Sequence, residues 1–240
     1  MKKILLASVV LLSFSGLANA DNGVYASLKA GISDTKYRNS EDVKTNNVLN
    51  TTTTWTNDNQ TKAIYPAISA AVGFDFSAIS PINARAELEY TYKDKETFSP
   101  TADYKTIVRK AESTGKTPFG EKVLANELRS QSLMLNGYYD FKNTSKFTPY
   151  VGVGVGITRV KNQQTEVESN SSISSTKNHF TWSAGVGVAY SVTDNVALDL
   201  SYKYVDAGKF KFNNNVENGR LDTKVDLRSQ DYALGIRYNF

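Results

Sequence analysis

Phe180-Thr181-Trp182-Ser183-Ala184-Gly185-Val186-Gly187-Val188-Ala189-Tyr190-Ser191 alternates without interruption: apolar side chains fill the even positions, and hydroxyl, glycine or alanine the odd ones. Successive side chains of a β-strand point to opposite faces, so this segment is a ribbon with one greasy side and one small or polar side. Six more segments alternate as strictly, and another does so over most of its length. Their apolar faces span residues 24–32, 64–76, 84–92, 133–141, 147–157, 196–204 and 232–240. With no helical period between them, eight such ribbons predict an all-β chain closed as an antiparallel up-and-down barrel.

The connections alternate as well. Long polar stretches at 37–63, 94–127, 161–178 and 206–224 are separated by short ones at 77–81, 142–146 and 191–195. That spacing predicts four long extracellular loops on one side, with short turns and both termini on the other.

One apolar face is common to membrane barrels and soluble ones, but three features favour the membrane. Gly152, Gly154, Gly156, Gly185 and Gly187 occupy the polar face, where a narrow lumen would need room for side chains from the far wall. Aromatic residues gather at both ends of the apolar faces: Phe74, Phe76, Phe141, Phe147, Tyr190, Tyr238 and Phe240 at the short turns, and Tyr92, Phe180, Trp182, Tyr204 and Tyr232 at the loops. Two girdles mark two boundaries between water and lipid. The chain also closes on Ile236, Tyr238 and Phe240, a terminal pattern similar to the one read by the bacterial outer-membrane assembly machinery.

Residues 1–20 carry Lys2 and Lys3, a short apolar run and Ala18-Asn19-Ala20, the pattern of a cleaved secretory signal. The run is too short for a retained anchor helix. The barrel domain is then residues 21–240, and its formal charge falls from +4 to +2 on loss of the two lysines, too weak to imply a nucleic-acid partner. Cysteine is absent, which removes disulfides and a lipidated cysteine.

Val196 to Tyr204 and Leu227 to Phe240, with Phe147-Thr-Pro-Tyr-Val-Gly-Val-Gly-Val-Gly156, resemble the strands of the opacity-protein and small surface-antigen family of Gram-negative outer membranes. The resemblance covers the strands and not the loops. It implies a porin-like barrel in the outer membrane, in contact with lipid and lipopolysaccharide. It also implies a virulence-type surface antigen or adhesin that meets host receptors or glycans through its loops.

The inward faces are charged. Arg85, Glu87, Glu89 and Lys93 on the third ribbon should face Asp199 and Lys203 on the seventh, joined by Arg237, Asp75, Asp140 and Lys29. Buried charges persist only when paired, so a cross-lumen network is expected to plug a monomeric barrel. The alternatives are a small-ion path along that network or a purely structural, envelope-maintaining role. No enzyme or cofactor is expected: the single histidine, His179, precedes Thr181 on the inward face, away from lipid substrates; Glu87 and Glu89 read as ion-pair partners; and no metal-ligand spacing occurs. Binding would fall to the loops, where Trp55, Tyr104, Arg109, Lys110 and Phe119 are the candidate contacts. The second loop also holds enough apolar residues for a short helix.

Overall fold

The computed structural model describes residues 23–45, 59–94, 106–110, 120–166, 172–216 and 219–240. The expected secretory segment lies outside them. Among the described residues, nine strands follow one another in chain order: β1 (Val24–Thr45), β2 (Asn59–Asp75), β3 (Ala84–Lys93), β4 (Thr106–Lys110), β5 (Gly120–Asp140), β6 (Phe147–Glu166), β7 (Ser172–Ser191), β8 (Val196–Val216) and β9 (Gly219–Asn239). Every pairing is antiparallel, and β3 pairs with β5 to close the order β3-β2-β1-β9-β8-β7-β6-β5 into an eight-stranded barrel. The short strand β4 is an addition to β5 above the level at which β3 ends.

The barrel is inverted relative to a water-soluble core. Leu28, Ile68, Leu135, Val153, Ile157, Leu200, Leu234 and Ile236 are exposed on the outer surface, whereas Ser27, Ser33, Arg85, Glu87, Glu89, Asp140, Thr181 and Asp199 are buried inside. Aromatic pairs ring the outside at two heights. Phe74 with Phe76, Phe147 with Tyr190 and Tyr238 with Phe240 lie near the short turns at centroid separations of 5.2, 4.8 and 5.1 Å. Trp182 with Tyr204 and Tyr202 with Tyr232 lie toward the other end, at 5.6 and 5.2 Å.

The strands are longer than the apolar alternation. A 20-residue strand such as β6 or β7 rises about 50 Å at about 3.3 Å per residue and a tilt near 40°. The apolar band of such a barrel is only about 25 Å tall. Much of the stretches expected as loops is therefore strand: β1 continues to Thr45, β2 begins at Asn59, and β8 and β9 remain paired to Val216 and Gly219. Alternation marks only the part of a strand with lipid on one face, so a polar ladder standing above the membrane carries no such pattern.

Above the membrane band the ladder also divides. The last β2–β3 pair is Ala67↔Lys93, next to Pro66, and the last β7–β8 pair is Trp182↔Asp206. Beyond these levels β2, β1, β9 and β8 form one four-stranded sheet, and β4, β5, β6 and β7 another. Each break has a local cause. Proline lacks a backbone donor, and β8 carries a bulge between Asp206 and Lys209, where Ala207 and Gly208 oppose Leu227.

The bulge also shifts the parity of β8. Phe210, on the outward parity set by Tyr202 and Tyr204, turns inward and is buried, packing with Val160 and Ala207 against Tyr65 and Leu227. Gly208 takes φ +74°, and a Cβ there would run into the His179 ring. Gly208→Ala should therefore lower stability by about 1–2 kcal/mol. An unchanged urea midpoint in detergent would count against this role for the bulge.

Candidate functional site in the lumen and at the outer rim

The lumen is stacked in layers. Nearest the short turns, Arg85 donates Nε and Nη2 to the two oxygens of Asp140, at 2.7 and 2.9 Å. Tyr138, Tyr150 and Tyr25 surround the guanidinium, with ring centroids 4.7, 5.1 and 5.6 Å from its carbon. Each of these tyrosines lies over a glycine directly opposite on the neighbouring strand: Tyr25 over Gly73, Tyr138 over Gly152 and Tyr150 over Gly187. The glycines thus seat rings from the adjacent strand, where the sequence suggested clearance for the far wall. An aromatic ring covering a cross-strand glycine shields backbone that would otherwise be bare.

In the middle layer, Lys29 donates to Glu87 at 2.9 Å and to Glu89 at 3.0 Å, and Lys203 donates to Glu89 at 2.6 Å. Tyr25 and Tyr138 give their hydroxyl protons to Glu87, at 3.2 and 3.1 Å. Tyr150 donates to Asp199 at 2.6 Å. Above this, Lys93 reaches Asp231 at 2.7 Å and also donates to Ser33 and Ser229, while Ser132, Thr158 and Thr181 form a hydroxyl chain. Lys29, Arg85, Lys93, Lys203 and Arg237 are matched in number by Glu87, Glu89, Asp140, Asp199 and Asp231. An interior close to neutral needs no trapped counterion.

The structure thus joins Lys203 of β8 to Glu89 of β3 across the lumen, but it places several residues differently from expectation. Arg85 pairs sideways with Asp140 on the adjacent strand, because Arg85↔Tyr138 is the local register and Asp140 is two residues along. Asp75 belongs to the turn: it accepts from the Ser77 amide at 2.9 Å and pairs with Lys142 at 3.4 Å. Arg237 lies 5.6 Å from the Tyr25 ring and makes no ion pair among the described residues, its Nε and Nη1 meeting no acceptor. Asp231, Tyr25, Tyr138 and Tyr150 were not singled out in the sequence, although inward parity together with a cross-strand glycine would have located the tyrosines.

The outer end is closed by the Phe210, Val160, Ala207, Tyr65 and Leu227 layer. Between it and Lys93 lies a cavity of about 30 Å³, lined also by Thr35, Ser132, Thr158 and Ser229, room for one or two waters. His179 stands at this rim, 5.2 Å from the Phe210 ring, with Nδ1 3.0 Å from the Phe180 carbonyl oxygen.

Of the candidate loop contacts, Trp55, Tyr104 and Phe119 lie outside the described residues. Arg109 and Lys110 end β4, opposite Glu121 and Gly120 of β5. In the second loop, where the sequence suggested a short helix, β4 instead pairs antiparallel with the start of β5, Thr106 opposite Leu124 and Ile107 opposite Val123.

Residues 4–240 match the outer membrane protein beta-barrel domain family. The chain belongs to that family. Outer membrane protein PagN of Salmonella typhimurium is 32% identical over 243 residues, covering 96% of this chain and 95% of that protein. A candidate adhesin of Rickettsia felis is 28% identical over 163 residues, 64% of this chain and 73% of its own. Among solved structures, Neisserial surface protein A shares the fold, with a TM-score of 0.53, 20% identity, and coverage of 91% of this chain and 97% of its own. The chain is an outer-membrane barrel, with its apolar girdle against lipid and lipopolysaccharide.

Proposed function

We propose that this barrel is an adhesin of a Gram-negative surface, holding host receptors or glycans at its outer end. The observation that carries the reading is the pair of polar sheets standing above the apolar band, an investment of chain that a membrane filler would not need. Similarity to PagN and to a candidate rickettsial adhesin supports it. In this reading residues 1–20 are the cleaved signal and the assembly machinery reads the Phe240 end. The barrel then works as a monomer, with the paired lumen as a rigid plug.

The reading assigns no catalysis. His179 faces a carbonyl and an aromatic ring, where a general base would need an orienting acid. The plug also argues against the small-ion alternative, since Glu89 and Glu87 are already held by lysines. Planar bilayers containing the protein are expected to show no steady unitary conductance, and discrete steps would restore the ion path. Adhesion is tested on cells carrying the intact chain or one with residues 46–58 and 94–119 replaced by short turns. Attachment should fall to the level of cells lacking the protein; undiminished attachment by the trimmed form would refute the reading.

A further inference from the structure

The register stacks the outward residues of β3, β5, β6 and β7 in rows. Tyr90, Leu133, Ile157 and Phe180 make one row, all exposed, at the loop-side edge of the lipid-facing band. Two residues further along each strand, about 6–7 Å, the row reads Tyr92, Gln131, Arg159 and Asn178, and the next holds Arg129, Lys161 and Thr176. Gln131, Arg159, Asn178, Arg129, Lys161 and Thr176 are all exposed. Hydrocarbon side chains thus give way to amides and cations within a single row.

The charge in these rows is one-sided. Arg129 stands directly opposite Lys161, and Arg159 is the next outward residue on the Lys161 strand. Like charges opposed across a ladder repel. Asp94 answers Arg129 at 3.2 Å, but among the described residues no carboxylate is within ion-pair distance of Arg159 or Lys161. The wall of β1, β9 and β8 is balanced beyond Ile32 and Tyr232. Lys36 also opposes Arg228 there, yet Asp206 pairs with Arg228 at 3.3 Å and Asp34 lies two residues from Lys36 on the same face. The excess of cation stands on one side of the barrel, at the height where the apolar surface ends.

We propose that Arg129, Arg159 and Lys161, with the side-chain amides of Gln131 and Asn178, form a site for the phosphorylated sugar head of an outer-leaflet glycolipid of the lipopolysaccharide type, its acyl chains lying against Leu133, Ile157 and Phe180. Guanidinium groups take phosphate oxygens through paired N–H donors. An anion held between the opposed bases also removes their repulsion. A soluble polyanion would meet the bases alone, whereas an anchored one meets the apolar row and the basic rows in the order in which the wall presents them. The site belongs to the barrel wall and does not depend on the adhesive reading, which concerns the loops.

The test uses the full chain folded in an uncharged detergent, its thermal midpoint read with and without diphosphoryl lipid A. Lipid A should raise the midpoint of the parent. Arg159→Gln combined with Lys161→Gln should start from a midpoint equal to or above that of the parent, because a repulsion has gone, and should lose more than half of the rise. Lys36→Gln, on the balanced wall, should keep it. Lipid A stripped of its phosphates should give the parent little rise. The site is overturned by an absent rise in the parent, by an equal rise in the double variant, or by an equal rise with the stripped lipid. Dextran sulfate acting as strongly as lipid A would also overturn it, reassigning the bases to free sulfated glycans. A double variant less stable than the parent before any lipid is added would remove the repulsion on which the site is argued.

Discussion

Glu89→Ala is expected to cost the barrel about 3–5 kcal/mol, the range seen when one partner of a buried ion pair is removed. The carboxylate is shared: one oxygen accepts from Lys203 at 2.6 Å and the other from Lys29 at 3.0 Å. Among the described residues, its loss leaves Lys29 with Glu87 alone and Lys203 with no carboxylate in contact, in a lumen where water cannot fully replace the pair. The measurement is the urea midpoint in detergent, followed by tryptophan fluorescence. Replacing both ends, Glu89→Ala with Lys203→Met, should recover much of the loss, because an absent pair costs less than a broken one. A single variant as stable as the parent would mean that the lysines are already hydrated and the lumen is not a packed plug.

Gly152→Val should cost about 3 kcal/mol, the upper part of the range for overpacking a filled interior. Its side chain would occupy the seat of the Tyr138 ring. That ring stands edge-on to Tyr150 at 5.5 Å, covers Arg85 at 4.7 Å and gives its hydroxyl proton to Glu87, so moving it disturbs two layers together. Gly137 supplies the contrast. It lies on the outward parity, and a Cβ there would meet nothing within 4 Å. Gly137→Val is expected to stay within about 0.5 kcal/mol of the parent. Equal effects at the two glycines would defeat the argument that glycine on the inner face is a ring seat.

What could be read in the sequence follows from what lipid demands. A strand with hydrocarbon on one face must alternate, so Phe180 to Ser191 already declares its orientation, and Val186 and Leu234 point outward as their parity requires. The charged inner residues were legible for the same reason: Arg85, Glu87 and Glu89 share one parity on one strand. Their partners were less so, because pairing depends on stagger between strands. Arg85 meets Asp140 through a two-residue diagonal, and Lys93 meets Asp231 through the turn of the closed wall, neither of which any single segment contains. Phe210 was hidden for another reason, since one extra residue at Ala207 and Gly208 reverses the side on which it falls.

By itself, then, the order of residues determined that eight amphipathic ribbons cross a membrane, which sides of them face lipid, and that the enclosed faces carry charge. Only the tertiary structure decided which charges meet, which glycines seat which rings, how the mouth is filled, and that the polar stretches continue as two sheets. The division has a physical cause. Contact with hydrocarbon acts on each residue separately and leaves a mark along the chain, whereas stagger, bulges and breaks in a ladder are relations between strands distant in sequence and exist only once the barrel has closed.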